Sequence, residues 1–200
     1  MMVPPALAGQ STTGARLGRH KGAAGRVGTS RQAGEPHLSD IAIRPATGAD
    51  ADAIAAIYNQ AVVTSTATFD LEPETPAARR RWLAAESTRL CLVAEVDGRV
   101  VGWSSLARWS ARGAYDQTVE SSIYITPETR REGVGLALAG AALEAASRLG
   151  VHAVIAQICV ENVAGLALAE RLGFARVGVL REVGRKFGRL LDVALCELLV

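Results

Sequence analysis

Residues 117–135 read QTVESSIYITPETRREGVG, and no other stretch of the chain constrains its folding as tightly. Val119 to Ile125 has the alternation of a strand, which puts Glu120, Ser122 and Tyr124 on one face and Ser121, Ile123 and Ile125 on the other. A Pro-Glu-Thr loop follows, and then Arg130-Arg131-Glu132-Gly133-Val134-Gly135 opens an Ala/Leu-rich helix predicted to run to about Leu149. Glycines at a helix start let the backbone approach a ligand. The first-turn N–H groups have no helical partner, so such a turn suits a pyrophosphate, and Arg130 and Arg131 add charge beside it. The spacing R-x-x-G-x-G satisfies neither the P-loop pattern G-x-x-x-x-G-K-[S/T] nor the dinucleotide pattern G-x-G-x-x-G. The same six residues also suit a glycine-containing turn that only starts a helix.

The elements around this unit alternate. A strand is predicted over Ile41–Arg44. A helix follows from Asp50 to about Val63, with Ile54, Ile57, Tyr58 and Ala61 on its apolar face. A second helix runs from Pro76, suited to a first helical turn, to about Ser87. Leu90–Val96 and Val100–Leu106 flank Asp97-Gly98, a strong hairpin signal. The strand His152–Val160 leads to Asn162 as the N-cap of another helix, which ends Arg171-Leu172-Gly173-Phe174 with Gly173 at C′. Strands over Phe174–Leu180 and Leu191–Leu199 complete the order. It predicts one layered α/β or α+β domain over 41–200, with no internal repeat.

Residues 1–40 differ in kind. They hold seven glycines, five basic residues and two acidic ones, with few large apolar side chains. Such a segment cannot offset its ordering entropy by burial, so it is expected to be a disordered Gly/Arg-rich extension. A transit-like peptide or an anion-binding tail is the functional alternative, although the apolar core of a secretory signal is missing. Without this arm, 17 basic and 18 acidic residues remain, so the expected domain is near neutral. That balance argues against a nucleic-acid partner, which would want a basic face on the fold itself. No apolar run reaches the length of a membrane span. Cys91, Cys159 and Cys196 each lie in an apolar run, which fits free thiols in a reducing cytoplasm rather than a disulfide framework. The three histidines are scattered, and no metal-ligand spacing occurs.

Taken together, R-x-x-G-x-G at a strand-to-helix turn and Asn162 followed by Glu170-Arg171-Leu172-Gly173-Phe174 resemble the two coenzyme A motifs of the GNAT N-acetyltransferases. Three further stretches resemble the phosphinothricin and methionine sulfoximine N-acetyltransferase branch. These are Thr64–Phe69 with Glu72–Pro76, Ala114-Tyr115 with Thr118–Ser121, and Gly184–Gly188 with Asp192. The resemblance covers roughly 41–200 and implies the GNAT fold, a mixed and mainly antiparallel central sheet with helices on both faces. It implies acetyl-CoA as cosubstrate, a small amino-acid-like amine as acceptor, and a homodimer. It places acetyl-CoA on Ile123, Tyr124 and Ile125, on the loop Arg130, Arg131, Glu132, Gly133, Val134, Gly135 and Leu136, and on Asn162.

Acetyl transfer from a thioester to an amine needs a group that takes the amine proton and donors for the thioester oxygen. Glu120 is the candidate general base, directly or through a water; a strand-end carboxylate in solvent is the plainer alternative. Ser122 shares its face. Phe69, Trp109 and Tyr115 are candidates for the substrate side, though aromatics also serve as packing. Arg112 could pair with a substrate carboxylate or stand free in a loop. Lys186 and Asp192 match the branch but read as a solvated loop pair. The resemblance would put Tyr or His seven residues after Asn162 to protonate the departing thiolate; here the residue is Ala169. Tyr124 or water would then take the role, or none is needed. Cys159, in an apolar strand without a histidine partner, is not expected to be a nucleophile. The alternatives are a peptide or protein N-acetyltransferase and a weakly catalytic acyl-CoA-binding protein. If Gly133 has ordinary helical dihedrals, replacing it with Asp should harm cofactor binding far more than folding.

Overall fold

The computed structural model describes residues 41–200; the expectation for residues 1–40 lies outside the described residues. Seven strands form one sheet in the order β1-β2-β3-β4-β5-β7-β6. They are β1 Ala42–Pro45, β2 Thr88–Val96, β3 Arg99–Arg108, β4 Thr118–Ile125, β5 Ala153–Cys159, β6 Ala175–Lys186 and β7 Arg189–Leu199. The helices are α1 Ala51–Thr64, α2 Pro76–Leu83, α3 Val134–Arg148 and α4 Val163–Arg171. Neighbouring strands are antiparallel except β4 and β5, which run parallel, so the sheet is mixed and mainly antiparallel as expected.

Period-two alternation sorts the core onto two faces. On one, Ile54, Ile57, Tyr58 and Val62 of α1 pack with Val93 and Trp103, and Tyr124 joins them. On the other, Val134, Leu138 and Ala142 of α3 pack with Leu92 and Ala94, and Ile123 and Ile125 join them. Asp97 and Gly98 take left-handed φ values of 51° and 72°, as a tight two-residue hairpin requires. All three cysteines are buried and free, and burial pushes the Cys91 thiol up to about 12.

Two boundaries depart from expectation by more than two residues. Helix α2 stops at Leu83 rather than Ser87, because the Thr88 hydroxyl donates to the Trp82 carbonyl at 2.7 Å and draws the chain into β2. Strand β6 continues past Leu180 to Lys186. Its polar stretch would read as a loop, but β7 supplies the partner strand, and the irregularity between Leu180 and Gly184 is held by the Glu182 N–H donating to Asp192 Oδ1 at 2.7 Å. Lys186 is only 3% exposed, so Lys186 and Asp192 are both structural contacts and not a solvated loop pair.

The parallel β4–β5 pairing covers only Thr118–Glu120 against Ala153–Ile155. Beyond it, β4 stays with β3 as far as Ile125, and β5 stays with β7 as far as Cys159. The two strands therefore part at Glu120, and β4 from Ser121 onward presents an unpaired backbone edge.

Gly133, the N-cap of α3, has φ 86° and ψ −10°, a left-handed conformation. The premise of ordinary helical dihedrals fails there, so any side chain at Gly133 disturbs the fold as well as a ligand. Gly135 is helical, and a Cβ there would meet Leu168 Cδ2 at an ordinary 3.6 Å. Gly133→Ala should lower stability by about 1–2 kcal/mol, whereas Gly135→Ala should raise it by about 0.5–1 kcal/mol. Equilibrium urea unfolding of the two variants checks the contrast.

Arg44 braces β1 with bonds to both Asp50 oxygens at 2.9 and 2.7 Å and to Glu95 at 2.6 Å. The Asp50 carboxyl also accepts from the Thr47 N–H. The Arg44 guanidinium holds this carboxyl well below the usual carboxylate range. Its contribution is thus fully present above the unfolded-state value near 3.9 and is lost as pH falls below it. Asp50→Asn should be less stable than wild type by roughly 1–3 kcal/mol at pH 7. The gap should narrow progressively as pH falls below about 3.9, which urea titrations at several pH values measure.

Candidate active site

A cavity of about 380 Å³ occupies the gap between the parted strands. Glu120 to Tyr124 form one wall and Ala156 to Cys159 the facing one. Tyr58 and Thr66–Phe69 close the α1 side, and α3 and α4 close the other with Ala142, Leu143, Leu168 and Ala169. The cavity therefore passes from one face of the sheet to the other.

Glu120 stands where the strands separate. Its side chain is half-buried, and Oε1 accepts a hydrogen bond from Gln157 Nε2 at 3.0 Å. Gln157 is not among the expected site residues, although it is the one amide side chain in the otherwise apolar β5. Ser122 lies in the same wall. Tyr124 is directly opposite Trp103 across the β3–β4 ladder, and its ring lies 4.7 Å from Trp103 and 5.0 Å from Tyr58. Its hydroxyl donates to the Ala67 carbonyl at 3.3 Å, and burial pushes the phenol up to about 12. The phenol thus keeps its proton at neutral pH and is turned toward the α1 side.

At the opposite end of β4, Arg130 and Arg131 are exposed beside the α3 N-terminus. Glu132 is half-buried, with Oε2 enclosed and without a hydrogen-bond partner. Val134 is fully buried, so what it offers a ligand is its backbone N–H. Gly133 adds its left-handed turn, and Gly135 and Leu136 lie in the first turn of the helix. Asn162 lines the cavity and caps α4, its Oδ1 accepting from the Gly165 N–H at 3.0 Å. A Cβ at Gly165 would collide with the Asn162 amide, so the glycine is what admits this cap. The cap uses the oxygen and leaves the NH₂ of the amide for a ligand. Ala169 puts only a methyl group in the wall, as the sequence indicates.

These groups fit an acyl-coenzyme A. The open β4 edge suits an amide-bearing arm, and the cationic helix start suits a pyrophosphate. Among the described residues, no cluster of His, Cys, Asp or Glu is placed to hold a metal ion.

The structure brings Phe69 to the cavity but not Trp109, Arg112 or Tyr115, which are absent from its walls. The β3–β4 connection makes a short 3₁₀ turn at Gly113–Tyr115 that leaves Arg112 and Tyr115 exposed. The segment after α1 is anchored by side chains of α1. Tyr58 donates to Asp70 Oδ2 at 2.6 Å and shares a hydrogen bond with the Thr68 hydroxyl at 2.8 Å. The Asn59 amide bonds both the N–H and the carbonyl of Glu74. Such long-range contacts have no local sequence signal.

Comparison with known proteins agrees with this geometry. Residues 54–174 match the acetyltransferase (GNAT) family model. The phosphinothricin N-acetyltransferase of Streptomyces viridochromogenes is 38% identical over 79% of this chain and 87% of its own length. An L-methionine sulfoximine/L-methionine sulfone acetyltransferase of Pseudomonas aeruginosa is 36% identical over 78% of this chain and 92% of its own. Among solved structures, a phosphinothricin acetyltransferase from Sinorhizobium meliloti in complex with AcCoA superposes with a TM-score of 0.77 at 31% identity, covering 80% of this chain and 89% of that one. A ribosomal-protein-alanine N-acetyltransferase from Brucella melitensis gives 0.76 at 34% identity, covering 80% and 99%. With its sheet parted after Glu120, its R-x-x-G-x-G helix start and these relatives, the chain belongs to the GNAT family of acetyltransferases.

Proposed function

We propose that this protein transfers the acetyl group of acetyl-CoA to the amine of a small amino-acid-like substrate, with phosphinothricin and methionine sulfoximine as first candidates. The observation that carries the proposal is the parting of β4 and β5 directly after Glu120, which sets a carboxylate beside an unpaired strand edge. When bound, acetyl-CoA supplies the acetyl group as an activated thioester. The backbone edge from Ser121 to Ile125 offers N–H groups for the thioester oxygen and the pantetheine amides. Arg130, Arg131 and the first turn of α3 hold the pyrophosphate, and the Asn162 NH₂ holds the pantetheine arm. Glu120, oriented by Gln157, takes the amine proton directly or through one water. The Tyr124 hydroxyl is engaged with Ala67, and Ala169 brings no acid, so water is the better supported proton source for the departing thiolate.

The amine enters from the α1 side, between Phe69 and Ser122. A second reading, acetylation of a peptide N-terminus, is favoured by the likeness to the Brucella ribosomal-protein-alanine enzyme. A thiol-release assay with free amino acids, phosphinothricin, methionine sulfoximine and short peptides should show saturable turnover with a small amine and little with peptides. The reverse preference would establish the second reading. Coenzyme A binding without turnover of any amine would leave a binding protein. Glu120→Gln should lower kcat by about 10²–10⁴-fold, with acetyl-CoA affinity by calorimetry unchanged.

A homodimer in a reducing cytoplasm completes the proposal. β6 is an edge strand, and its hairpin with β7 exposes Val177, Val179, Leu180, Val183, Phe187 and Leu190, a surface suited to a second copy. Analytical ultracentrifugation should give twice the chain mass, and Val179→Glu with Leu190→Glu should return the monomer.

A further inference from the structure

Lys186 closes β6 with its side chain buried, at a site where an apolar residue of similar volume would avoid the desolvation of an ammonium. Its Nζ donates to the Thr68 carbonyl at 2.7 Å, across 118 positions of sequence. The loop it reaches, residues 65–75 between α1 and α2, has no regular structure. Its backbone polar groups must find partners outside a ladder. The partners come from three directions. α1 supplies Asn59 to the Glu74 backbone, while its Tyr58 holds the Thr68 and Asp70 side chains, and β4 supplies the Tyr124 hydroxyl on the Ala67 carbonyl. The β6–β7 hairpin supplies Lys186. The hairpin also supplies a seat: the Phe69 ring packs so closely on Gly184 that a Cβ there would collide with it.

The held residues are Ala67, Thr68 and Phe69, which with Thr66 form the cavity wall on the Glu120 side. Tyr124 and Lys186 fix consecutive carbonyls of that wall, those of Ala67 and Thr68. A charge-assisted bond from an ammonium is the stronger kind, and Asp70 adds a nearby negative charge. None of these contacts reaches the α3 N-terminus, where the cofactor loop lies.

We propose that Lys186 is a positioning residue for the amine substrate, holding the Thr66–Phe69 wall in place from the far hairpin. Its kinetic consequence rests on the proposed amine acetylation; its structural consequence does not. In the full-length protein, Lys186→Met should raise the KM for the best amine of the assay above by tenfold or more, with the KM for acetyl-CoA changed less than twofold. Amide hydrogen exchange of residues 65–75 should speed up while that of α3 does not. Gly184→Ala, which pushes on Phe69 from the same hairpin, should give the same pattern and decides the matter if Lys186→Met does not fold. Lys186→Arg, which keeps a cationic donor, should recover part of the amine KM.

Unchanged exchange of 65–75 and unchanged amine KM in a folded variant would overturn the proposal. So would a loss spread evenly over both substrates and over α3, the mark of a purely structural residue. If wild-type protein acetylates no amine, the proposed function fails, and the exchange experiment alone still decides whether Lys186 holds the wall.

Discussion

The structure turns on a parallel strand pair that lasts only three residues. β4 and β5 begin together at Thr118 and Ala153 and separate after Glu120 and Ile155. Each remains paired on its outer side, so the sheet does not unravel; it opens a slot. Backbone N–H and C=O groups lining that slot lack ladder partners, and unmet backbone groups in a sheltered place call for a ligand or water. The cavity, the placement of Glu120 and the proposed use of β4 as a rail all follow from this one interruption.

The slot also divides labour between the faces of the sheet. On the α3 face, Ile123 and Ile125 bury their side chains against Val134 and Leu138, which ties the strand rigidly to the helix that begins at the arginine-glycine loop. On the α1 face, Trp103, Tyr58 and Tyr124 form an aromatic cluster. The guanidinium of buried Arg79 lies 4.3 Å from the Tyr58 ring centre and 4.7 Å from that of Trp82, and pairs with Glu74 at 2.9 Å. Stacking on rings and pairing with a carboxylate is how such a cation is accommodated away from water. It also ties α2 to the loop that forms the proposed amine side. One face is thus organised around hydrocarbon and a helix start, the other around rings, hydroxyls and the Arg79–Glu74 ion pair.

Much of this arrangement is legible in the residues alone. Alternation places Glu120 and Tyr124 on one face of β4 and Ile123 and Ile125 on the other, because side-chain period in a strand is a local property. Asn162 and Gly173 mark both ends of α4 because capping depends on a residue and its next few neighbours. Asp97-Gly98 marks a hairpin for the same reason. The limits are equally physical. Gly133 is legible as a glycine but not as a left-handed one, since its φ is set by how β4 hands the chain to α3. The end of β6 escapes a reading of its own residues because a polar stretch becomes strand only where a neighbour supplies hydrogen bonds, and β7 lies later in the chain.

The order of elements, the arginine-glycine helix start and the Asn162 cap are each encoded within a few consecutive residues, so residue order was enough to establish them. Folding in three dimensions was needed to part β4 and β5 after Glu120, to make Gln157 the carboxylate's partner and to bring Lys186 to Thr68. It also kept Trp109, Arg112 and Tyr115 out of the cavity. Those facts depend on which distant segments share a wall, and strand pairing and burial settle that for the whole chain at once.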